Sequence, residues 1–450
     1  MINEQINCKK LDIKLSTELV FEQFSHLPHA VLLDSSNAQH ENSRYDIISF
    51  EPKHLVEAKN KHVFLDGKQQ AQSCFAIMQS LLSDLSNTQA AENLPFTGGW
   101  LGYFGYDLGR YIESMPELAI EDINMPDMSA GLYLDALIFD NQTSEWFYVS
   151  QPNFDRLDTY LAAINKQAAK AVPFKLTSEW QSNLDKSAYE KQFDKIQAYL
   201  KSGDCYQINL AQRFSAEFNG TPWSAYKTLR AHNKAPFAAF INHPQGSILS
   251  VSPERFILVE DNKVETKPIK GTLPRLKEST ADKEQAEILK NSPKDRAENV
   301  MIVDLLRNDL GKVAKPGTVT VPKLFDIESF PAVHHLVSTV QSELAEGKTA
   351  IDQLEAAFPG GSITGAPKIR AMEIIEELEP HRRSVYCGSI GYISACGKMD
   401  TSITIRTLVC SEDKIHCWAG GGIVADSKAA LEYQETLDKV NKILPILSNS

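Results

Sequence analysis

The chain has 450 residues, of which 42% are hydrophobic and 23% are charged, and its formal net charge at pH 7 is −12. This acidic balance argues against a general binder of nucleic acid or membrane surfaces, because phosphate backbones need a basic face. An anionic substrate would be repelled by the whole molecule, so its site needs a local concentration of cations.

The cysteines and the apolar segments indicate the cellular compartment of the protein. None of the seven cysteines forms a CxxC pair, which favours free thiols in a reducing environment. The first 15 residues lack a basic segment followed by an apolar one, and no apolar run reaches the roughly 20 residues of a membrane helix. The sequence therefore predicts a cytoplasmic protein without a signal peptide or a membrane span.

The first third of the chain is rich in predicted strands. Short β-type runs at 30–36, 45–52 and 62–67 end in turn residues, and 132–150 is typical of two strands around a polar turn. Residues 153–185 are more polar and indicate helix. We therefore predict a strand-rich N-terminal region over 1–150, a helical linker region over 151–186 and a larger domain over 187–450.

Sequence patterns typical of helix starts and ends occur at several places in the larger domain. The pattern from Ser187 to Glu190 is typical of a capping box, and Gly203 is well placed to end the helix that follows. Ser292 and Pro293 predict the start of a second helix, because proline is tolerated in a first helical turn. A third helix is expected from about Ser427.

Strands and helices alternate without a regular βαβ rhythm. Residues 205–268 are β-rich, and further strands are predicted at 389–394 and 401–410. This order favours an α+β fold, a mixed β-sheet sandwich with helices packed outside, over a barrel or a doubly wound sheet.

The C-terminal helix carries a run of charges on one face. Glu432 and Glu435 are three residues apart, and Lys439 follows Glu435 by four. In an isolated helix this spacing is typical of a solvated face. The glycines at 420–422 are predicted to precede the helix start, where backbone N–H groups can approach an anion. The opposing, buried side is predicted to consist of Leu431, Leu437 and Val440.

Another carboxylate and one lysine stand out. Glu298 lies on the helix that begins at Ser292, and together with Glu435 it offers the hard oxygens that Mg²⁺ prefers. No His/Cys cluster has the spacing of a zinc site. Lys270 lies between an apolar residue and a Gly-Thr turn, at the expected end of a strand, which is unusual for a lysine on a solvated surface.

Ten ordered motifs, spanning about 187–445, resemble those of the chorismate-utilising enzymes. This family includes anthranilate synthase component I, aminodeoxychorismate synthase component I, isochorismate synthase and salicylate synthase. The ordered occurrence of so many motifs argues against accident. The motifs are CYQINLAQRF, SPERF, PIKGTLPR, DRAENVMIVDLLRNDLG, VHHLVSTV, GSITGAPKIRAMEIIEELEP, GSIGYIS, IRTLV, AGGGIVADS and EYQETLDKV.

The resemblance implies an Mg²⁺-dependent enzyme that binds the dicarboxylate chorismate. Glu298 and Glu435 would bind the metal, Glu432 would act through water, and Lys439 would balance the cluster. Glu254 matches the general acid that helps the ring 4-hydroxyl to leave. A carboxyl group in that role must retain its proton, so its pKa must be raised.

Further residues are implied to contact the substrate. Thr272 would hydrogen-bond near the leaving hydroxyl, and Arg406 would help to hold the enolpyruvyl carboxylate. The remaining candidates for substrate binding are Gln207, His335, Thr364, Tyr392, Gly421 and Gly422.

Two positions separate the branches of the family. The water-adding branch has a lysine where this chain has Gln207, and a glutamine cannot deprotonate water. The other position is 270, in the stretch PIKGT at 268–272. Anthranilate synthases have a sequence similar to PIAGT here, whereas the aminodeoxychorismate branch has PIKGT, as this chain does. The resemblance therefore implies that Lys270 is a nucleophile, that it adds at ring C2, and that ammonia then adds at C4 to give 4-amino-4-deoxychorismate, a precursor of 4-aminobenzoate and folate.

The resemblance also implies a partner and a second ligand. The 450 residues contain no GxCxG amidotransferase elbow, so ammonia is expected from a separate glutamine amidotransferase subunit. Residues 32–47 resemble the segment that holds a tryptophan in the family, with Ser35, Arg44 and Tyr45 as candidate contacts.

Two alternatives remain. One is anthranilate synthase component I, which aminates C2 and eliminates pyruvate. The other is a catalytically silent sensor of chorismate or tryptophan. A sensor would be expected to lack at least one of Glu254, Lys270, Glu298 and Glu435, and all four are present.

Overall fold

Two β-sheets form the framework of the computed structural model, which describes residues 5–36, 40, 42–89, 92–166, 172–329 and 333–449. Each pairing between the named strands of these sheets is antiparallel. With the helices below, this confirms the predicted α+β sandwich.

The first sheet brings early and late strands together. In spatial order it contains Asn7–Leu11 (β1), Glu145–Ser150 (β10), Asp135–Asp140 (β9), Tyr45–Ser49 (β3), Ala30–Asp34 (β2), Phe237–His243 (β14), Gly246–Ser252 (β15), Thr407–Ser411 (β24), Lys414–Ile423 (β25), Gln207–Asn219 (β13) and Lys175–Leu176 (β11), with Gln181–Ser182 (β12) and Gly365–Ala366 (β21) also paired to β13.

The second sheet is built in the same way. Its spatial order is Ile269–Pro274 (β18), Val333–Glu343 (β20), Lys263–Thr266 (β17), Arg255–Glu260 (β16), Met399–Ile403 (β23), Ser389–Ser394 (β22), Gly99–Phe104 (β7), Met128–Tyr133 (β8), His54–Lys59 (β4), His62–Leu65 (β5) and Lys68–Gln70 (β6), with Thr320–Ser329 (β19) paired to β20.

The helices flank these sheets. They are Thr17–Glu22 (α1), Cys74–Ser83 (α2), Leu157–Ile164 (α3), Lys186–Ser202 (α4), Pro222–Asn233 (α5), Ser279–Lys290 (α6), Pro293–Gly311 (α7), Ala350–Ala357 (α8), Lys368–Leu378 (α9), Ala429–Val440 (α10) and Leu444–Ser448 (α11), and short 3₁₀ turns span Tyr106–Tyr111 and Gly361–Ile363.

Strands from the first 150 residues pair with strands of the larger domain in both sheets. β2 pairs with β14, and β7 pairs with β22. The predicted subdivision at residues 150 and 186 therefore remains a prediction about sequence regions, while the hydrogen-bonded sheets are continuous across it.

Two apolar cores hold the layers together. One joins the sheets to each other and contains Trp100 and Ile302, and the other packs α1, α3 and α5 on the first sheet through Phe21, Tyr160 and Trp223. Burying one large apolar side chain contributes roughly 1.5–3 kcal/mol to stability, so these cores are the main source of rigidity around the site.

Two of the predicted helix boundaries are confirmed, and one predicted cap is wrong. Ser292 accepts a hydrogen bond from the Asp295 N–H and Pro293 opens α7, as predicted. Gly203 ends α4 at φ 82°, a left-handed conformation that favours glycine. The predicted capping box at Ser187 is wrong, because Asp185 caps this helix by accepting from the Ala188 N–H.

The glycines before the C-terminal helix do not form a helix N-terminus. Gly420 to Gly422 lie in β25, opposite Ala211 to Asn209 of β13, and α10 begins later, at Ala429. The predicted buried position of Leu431 is also wrong, since 66% of this residue is exposed. The face of α10 that is buried carries Glu432, Thr436 and Val440.

All seven cysteines are free, and five of them are buried. Among the described residues, no helix combines the length and the apolar character that crossing a membrane would require.

Candidate functional site

A cavity of about 550 Å³ opens where β18, α7, β25 and α10 meet. Its wall contains side chains from both sheets and from two helices. It brings together ten of the residues that the sequence singled out: Glu254, Lys270, Thr272, Glu298, His335, Arg406, Gly422, Glu432, Glu435 and Lys439.

A β-bulge in β18 positions Lys270. The register with β20 shifts between Lys270 and Thr272, and Gly271 between them has φ 77°, which a residue with a side chain rarely adopts. Both neighbours of Gly271 line the cavity as a result. The Lys270 side chain is 13% exposed, and its Nζ lies 3.1 Å from Glu298 Oε1 and donates to the Ser362 carbonyl at 3.3 Å.

Glu254 is buried in the wall of the same cavity. Only 8% of this residue is exposed, and burial raises the pKa of Glu254 from 4.5 to about 7, against the lowering effect of the Lys270 charge. A carboxyl group with this pKa is protonated in a large fraction of molecules at neutral pH, so it can donate a proton. Arg255 does not pair with it and instead makes two hydrogen bonds of 2.9 Å to Asp400.

Thr272 and His335 form a polar pair on the adjoining strands. Thr272 Oγ1 lies 2.7 Å from His335 Nδ1. Burial, with a further contribution from the Arg406 charge, lowers the pKa of His335 to about 4, so the ring is neutral at pH 7. A neutral imidazole offers one donor and one acceptor, which suits hydrogen bonding to a hydroxyl group.

Three carboxylates converge on Gly421 and Gly422 of β25. A methyl group built on Gly421 would lie 3.4 Å from Glu432 Oε2 and 3.5 Å from Glu435 Oε1. One built on Gly422 would lie 3.1 Å from Glu298 Oε1. The absence of side chains at these two positions therefore leaves the space into which the carboxylates of α7 and α10 reach.

The donor set fits Mg²⁺. In the described part of the chain, no group of three or more His, Cys, Asp and Glu side chains is assembled closely enough to hold a metal ion by itself. Mg²⁺ commonly takes only one or two carboxylates and completes its octahedron with waters and substrate oxygens. Glu298 and Glu435, with Glu432 beside them, provide such an incomplete set.

Lysine charges balance these carboxylates. Lys439 Nζ lies 2.7 Å from Glu435 Oε1 and donates to the Gly420 carbonyl at 2.7 Å. Burial acts to raise the pKa of Glu435, but the charge and hydrogen bond of Lys439, together with the charges of Lys294 and Lys270, lower that pKa overall. Burial raises the pKa of Glu432, and the neighbouring Glu435 charge adds to this effect.

Some predicted substrate contacts lie beside the cavity rather than in its wall. Gln207 Nε2 donates to Glu298 Oε1 at 3.2 Å. Thr364 is fully buried, and its Oγ1 donates to the Gly360 carbonyl at 3.1 Å, which braces the loop before α9. Gly421 is buried behind the carboxylates. Tyr392 is not brought to this site and lines a separate cavity.

Sequence reasoning missed several residues of the wall. Lys294 and Asp295 precede Glu298 by four and three positions on α7, so helical periodicity from Glu298 would have found them. Asn209 follows Gln207 by two on β13, the strand period. Ser362, which lies in the motif GSITGAPKIRAMEIIEELEP, also lines the cavity, as do Tyr386 and Trp418, which no local pattern marks.

The second cavity has a volume of about 310 Å³. Arg44 and Tyr45 line it, as does Tyr392. Ser35 is directed elsewhere, since its Oγ donates to buried Asp46 at 2.6 Å. Residues 37–39 and 41 of the predicted tryptophan segment lie outside the described residues.

Known proteins resemble this chain over most of its length. Residues 28–445 match the family described as chorismate binding enzyme. Aminodeoxychorismate synthase component 1 of Escherichia coli (strain K12) is 52% identical over 435 residues, 95% of each chain. Anthranilate synthase component 1 of Pseudomonas putida is 34% identical over 445 residues, 93% of this chain and 90% of that one.

A solved structure shares the architecture. Anthranilate synthase component I from Streptococcus pneumoniae superposes with a TM-score of 0.79 at 30% identity, covering 90% of this chain and 93% of the other. The family match over most of the chain, the extensive identity and the shared fold lead to one conclusion: the chain belongs to the chorismate binding enzyme family.

Proposed function

We propose that this enzyme aminates chorismate at C4, giving 4-amino-4-deoxychorismate for 4-aminobenzoate and folate synthesis. The observation that carries the proposal is the position of Lys270, whose amine lies inside the cavity, 3.1 Å from Glu298, with the high-pKa carboxyl of Glu254 in the same wall. The relative that is named for this activity is 52% identical, whereas the anthranilate synthase of Pseudomonas putida is 34% identical.

The chain's own residues divide the chemistry into two steps. In the first, Lys270 gives a proton to Glu254, and its amine forms a bond to ring C2 while the C4–O bond breaks; Glu254 passes that proton to the departing hydroxyl, which leaves as water. In the second, ammonia forms a bond to C4, the bond between C2 and Lys270 breaks, and the new ammonium group returns one proton to the pair formed by Lys270 and Glu254. The sum is chorismate plus ammonia giving the aminated product plus water.

Substrate binding uses the remaining groups of the cavity. Arg406 and the backbone of Gly422 provide donors for one carboxylate of chorismate. Thr272 and neutral His335 provide hydrogen bonds to the ring hydroxyl. Mg²⁺, held by Glu298 and Glu435 with Glu432 acting through water, would supply the counter-charge of the second carboxylate.

Ammonia is proposed to come from a glutamine amidotransferase subunit. The Escherichia coli relative is named as component 1, which implies a second component. We also infer a cytoplasmic location, because free thiols suit a reducing compartment.

The product formed from chorismate distinguishes the proposed function from its alternatives. The purified chain is incubated with chorismate, Mg²⁺ and ammonium, and the product is identified by mass spectrometry. We expect 4-amino-4-deoxychorismate without release of pyruvate. Anthranilate together with pyruvate would assign the chain to the alternative branch, and the absence of any turnover of chorismate would favour the sensor alternative.

The second cavity is proposed to bind tryptophan. Its aromatic wall includes Tyr45 and Phe237, and charges of both signs face it from Arg255 and Glu260, as the zwitterion of an amino acid requires. Equilibrium dialysis with tryptophan tests this site, using Arg44→Ala as the variant. Equal binding by both proteins would remove Arg44 from the site.

A further inference from the structure

Glu298 Oε1 is shared by two donors. Lys270 Nζ lies 3.1 Å from this oxygen, and Gln207 Nε2 donates to it at 3.2 Å. The same oxygen approaches Gly422, next to the glycine over which Glu435 lies. An oxygen of a proposed metal ligand is therefore the one that Lys270 holds.

The ion pair is poorly hydrated. The side chains of Lys270 and Glu298 are 13% and 15% exposed. A carboxylate removed from water to this extent needs a compensating cation close by. Lys270 provides that charge directly, and the Gln207 amide fixes the orientation of the carboxylate.

We propose that Lys270 is the resident counter-cation of Glu298 and that Mg²⁺ displaces it, so that metal binding releases the nucleophilic amine from the carboxylate. This inference rests on the proposed function, which supplies both the metal site and the role of the lysine. It adds an order to the reaction, in which the metal must bind before Lys270 can reach the ring.

The geometry provides the released side chain with another partner. Lys270 Nζ already donates to the Ser362 carbonyl at 3.3 Å, so a small rotation away from Glu298 keeps one hydrogen bond. Two cations on one carboxylate oxygen repel each other at short range. Removing the lysine charge therefore strengthens metal binding, whereas a purely supportive lysine would weaken it when removed.

Metal affinity tests this inference without any turnover. Mn²⁺ serves as the probe, and the free ion is followed by electron paramagnetic resonance at pH 8 in the absence of chorismate. We expect Lys270→Met to bind Mn²⁺ at least about tenfold more tightly than the parent chain, which is about 1.4 kcal/mol. Lys270→Arg keeps the charge and is expected to remain close to the parent affinity.

The control for general charge is Lys294→Met. Lys294 is an exposed residue of the cavity wall whose charge acts on Glu432 and Glu435. The displacement would be overturned if Lys270→Met bound Mn²⁺ no more tightly than the parent chain. It would also be overturned if the gain in Mn²⁺ affinity were no larger for Lys270→Met than for Lys294→Met. Circular dichroism confirms folding, and Lys270→Gln replaces Lys270→Met if the latter unfolds.

Glu435→Gln separates the inference from the proposed function. If Glu435→Gln loses the Mn²⁺ site while Lys270→Met shows no gain, the metal site stands and only the displacement is wrong. If Glu435→Gln binds Mn²⁺ as well as the parent chain does, the proposed metal site fails and the displacement fails with it.

Discussion

Glu254 and Arg255 are consecutive residues that line two different cavities, Glu254 the cavity with the carboxylates and Arg255 the second one. Arg255 is fixed by its paired hydrogen bonds to Asp400, both 2.9 Å long. The segment that presents the proposed general acid is therefore anchored on its other side by a mostly buried ion pair.

Asp400→Asn tests this anchor. The Arg255 and Asp400 side chains are 10% and 21% exposed, so removing one charge leaves the other uncompensated, and we expect a loss of about 3 kcal/mol in the free energy of unfolding. The control is Asp304→Asn, from a pair whose side chains are 51% and 62% exposed, with an expected loss below about 1 kcal/mol. Urea unfolding measures both, and equal losses would contradict the anchor.

The raised pKa of Glu254 predicts a pH-dependent stability. The folded pKa of about 7 exceeds the ordinary 4.5, so the protonated form favours folding, and this contribution is complete below pH 4.5 and is lost as the pH rises through about 7. Glu254→Gln cannot lose a proton. We expect its stability relative to the parent chain to increase by about 3 kcal/mol between pH 4 and pH 8.

Thermal or urea unfolding at several pH values measures this difference. Glu179→Gln, at an exposed position, controls for the substitution itself. A difference between Glu254→Gln and the parent chain that stays constant with pH would contradict the raised pKa.

A covalent intermediate is expected on Lys270. When chorismate and Mg²⁺ are supplied without ammonia, intact-protein mass spectrometry should detect an adduct equal to chorismate minus one water, and Lys270→Ala should not form it. Lys398→Ala is the matched control, because Lys398 is a buried lysine in the other cavity. The same adduct on Lys270→Ala would show that another group attacks the ring.

Adding a methyl group at Gly421 and at Gly422 is expected to affect activity differently. A methyl group on Gly422 would lie 2.3 Å from Gln207 Nε2, so Gly422→Ala must displace the amide that supports Glu298. We expect at least about a tenfold loss of kcat/KM, about 1.4 kcal/mol, with the fold retained, because the displaced atom ends a flexible side chain. Gly421→Ala meets its nearest atom at 3.4 Å and is expected to retain most activity. Equal activities would contradict this contrast.

Helix ends that depend on neighbouring residues could be predicted from the sequence. Gly203 and Ser292 end and begin their helices as expected, since helix caps depend on neighbouring residues. The glycines from Gly420 resembled a turn before a helix, and their strand became evident only through pairing with β13, whose residues lie some 200 positions earlier. Leu431 is exposed because the buried side of α10 carries Glu432, Thr436 and Val440, and Leu431 lies on the opposite side of the helix from Val440.

More of the candidate site than of the fold could be predicted from the sequence. Motif resemblance indicated the residues on β18, α7 and α10 that now meet around one cavity. It gave no information on which oxygen each lysine contacts, because that depends on side-chain geometry across elements. Tyr392 was assigned to the substrate, and the structure instead has it lining the second cavity, on a strand whose neighbouring loops could not be located from pattern alone.

The pairing of early strands with late ones has a consequence for biosynthesis. The Thr97 N–H donates to Ser394 Oγ across 297 residues of sequence, next to the ladder between β7 and β22. At roughly 5–20 residues per second, the ribosome needs about 15–60 s to make that intervening length. Throughout this interval the emerging N-terminal strands have unsatisfied edges, so efficient production is expected to require chaperones that shield nascent chains.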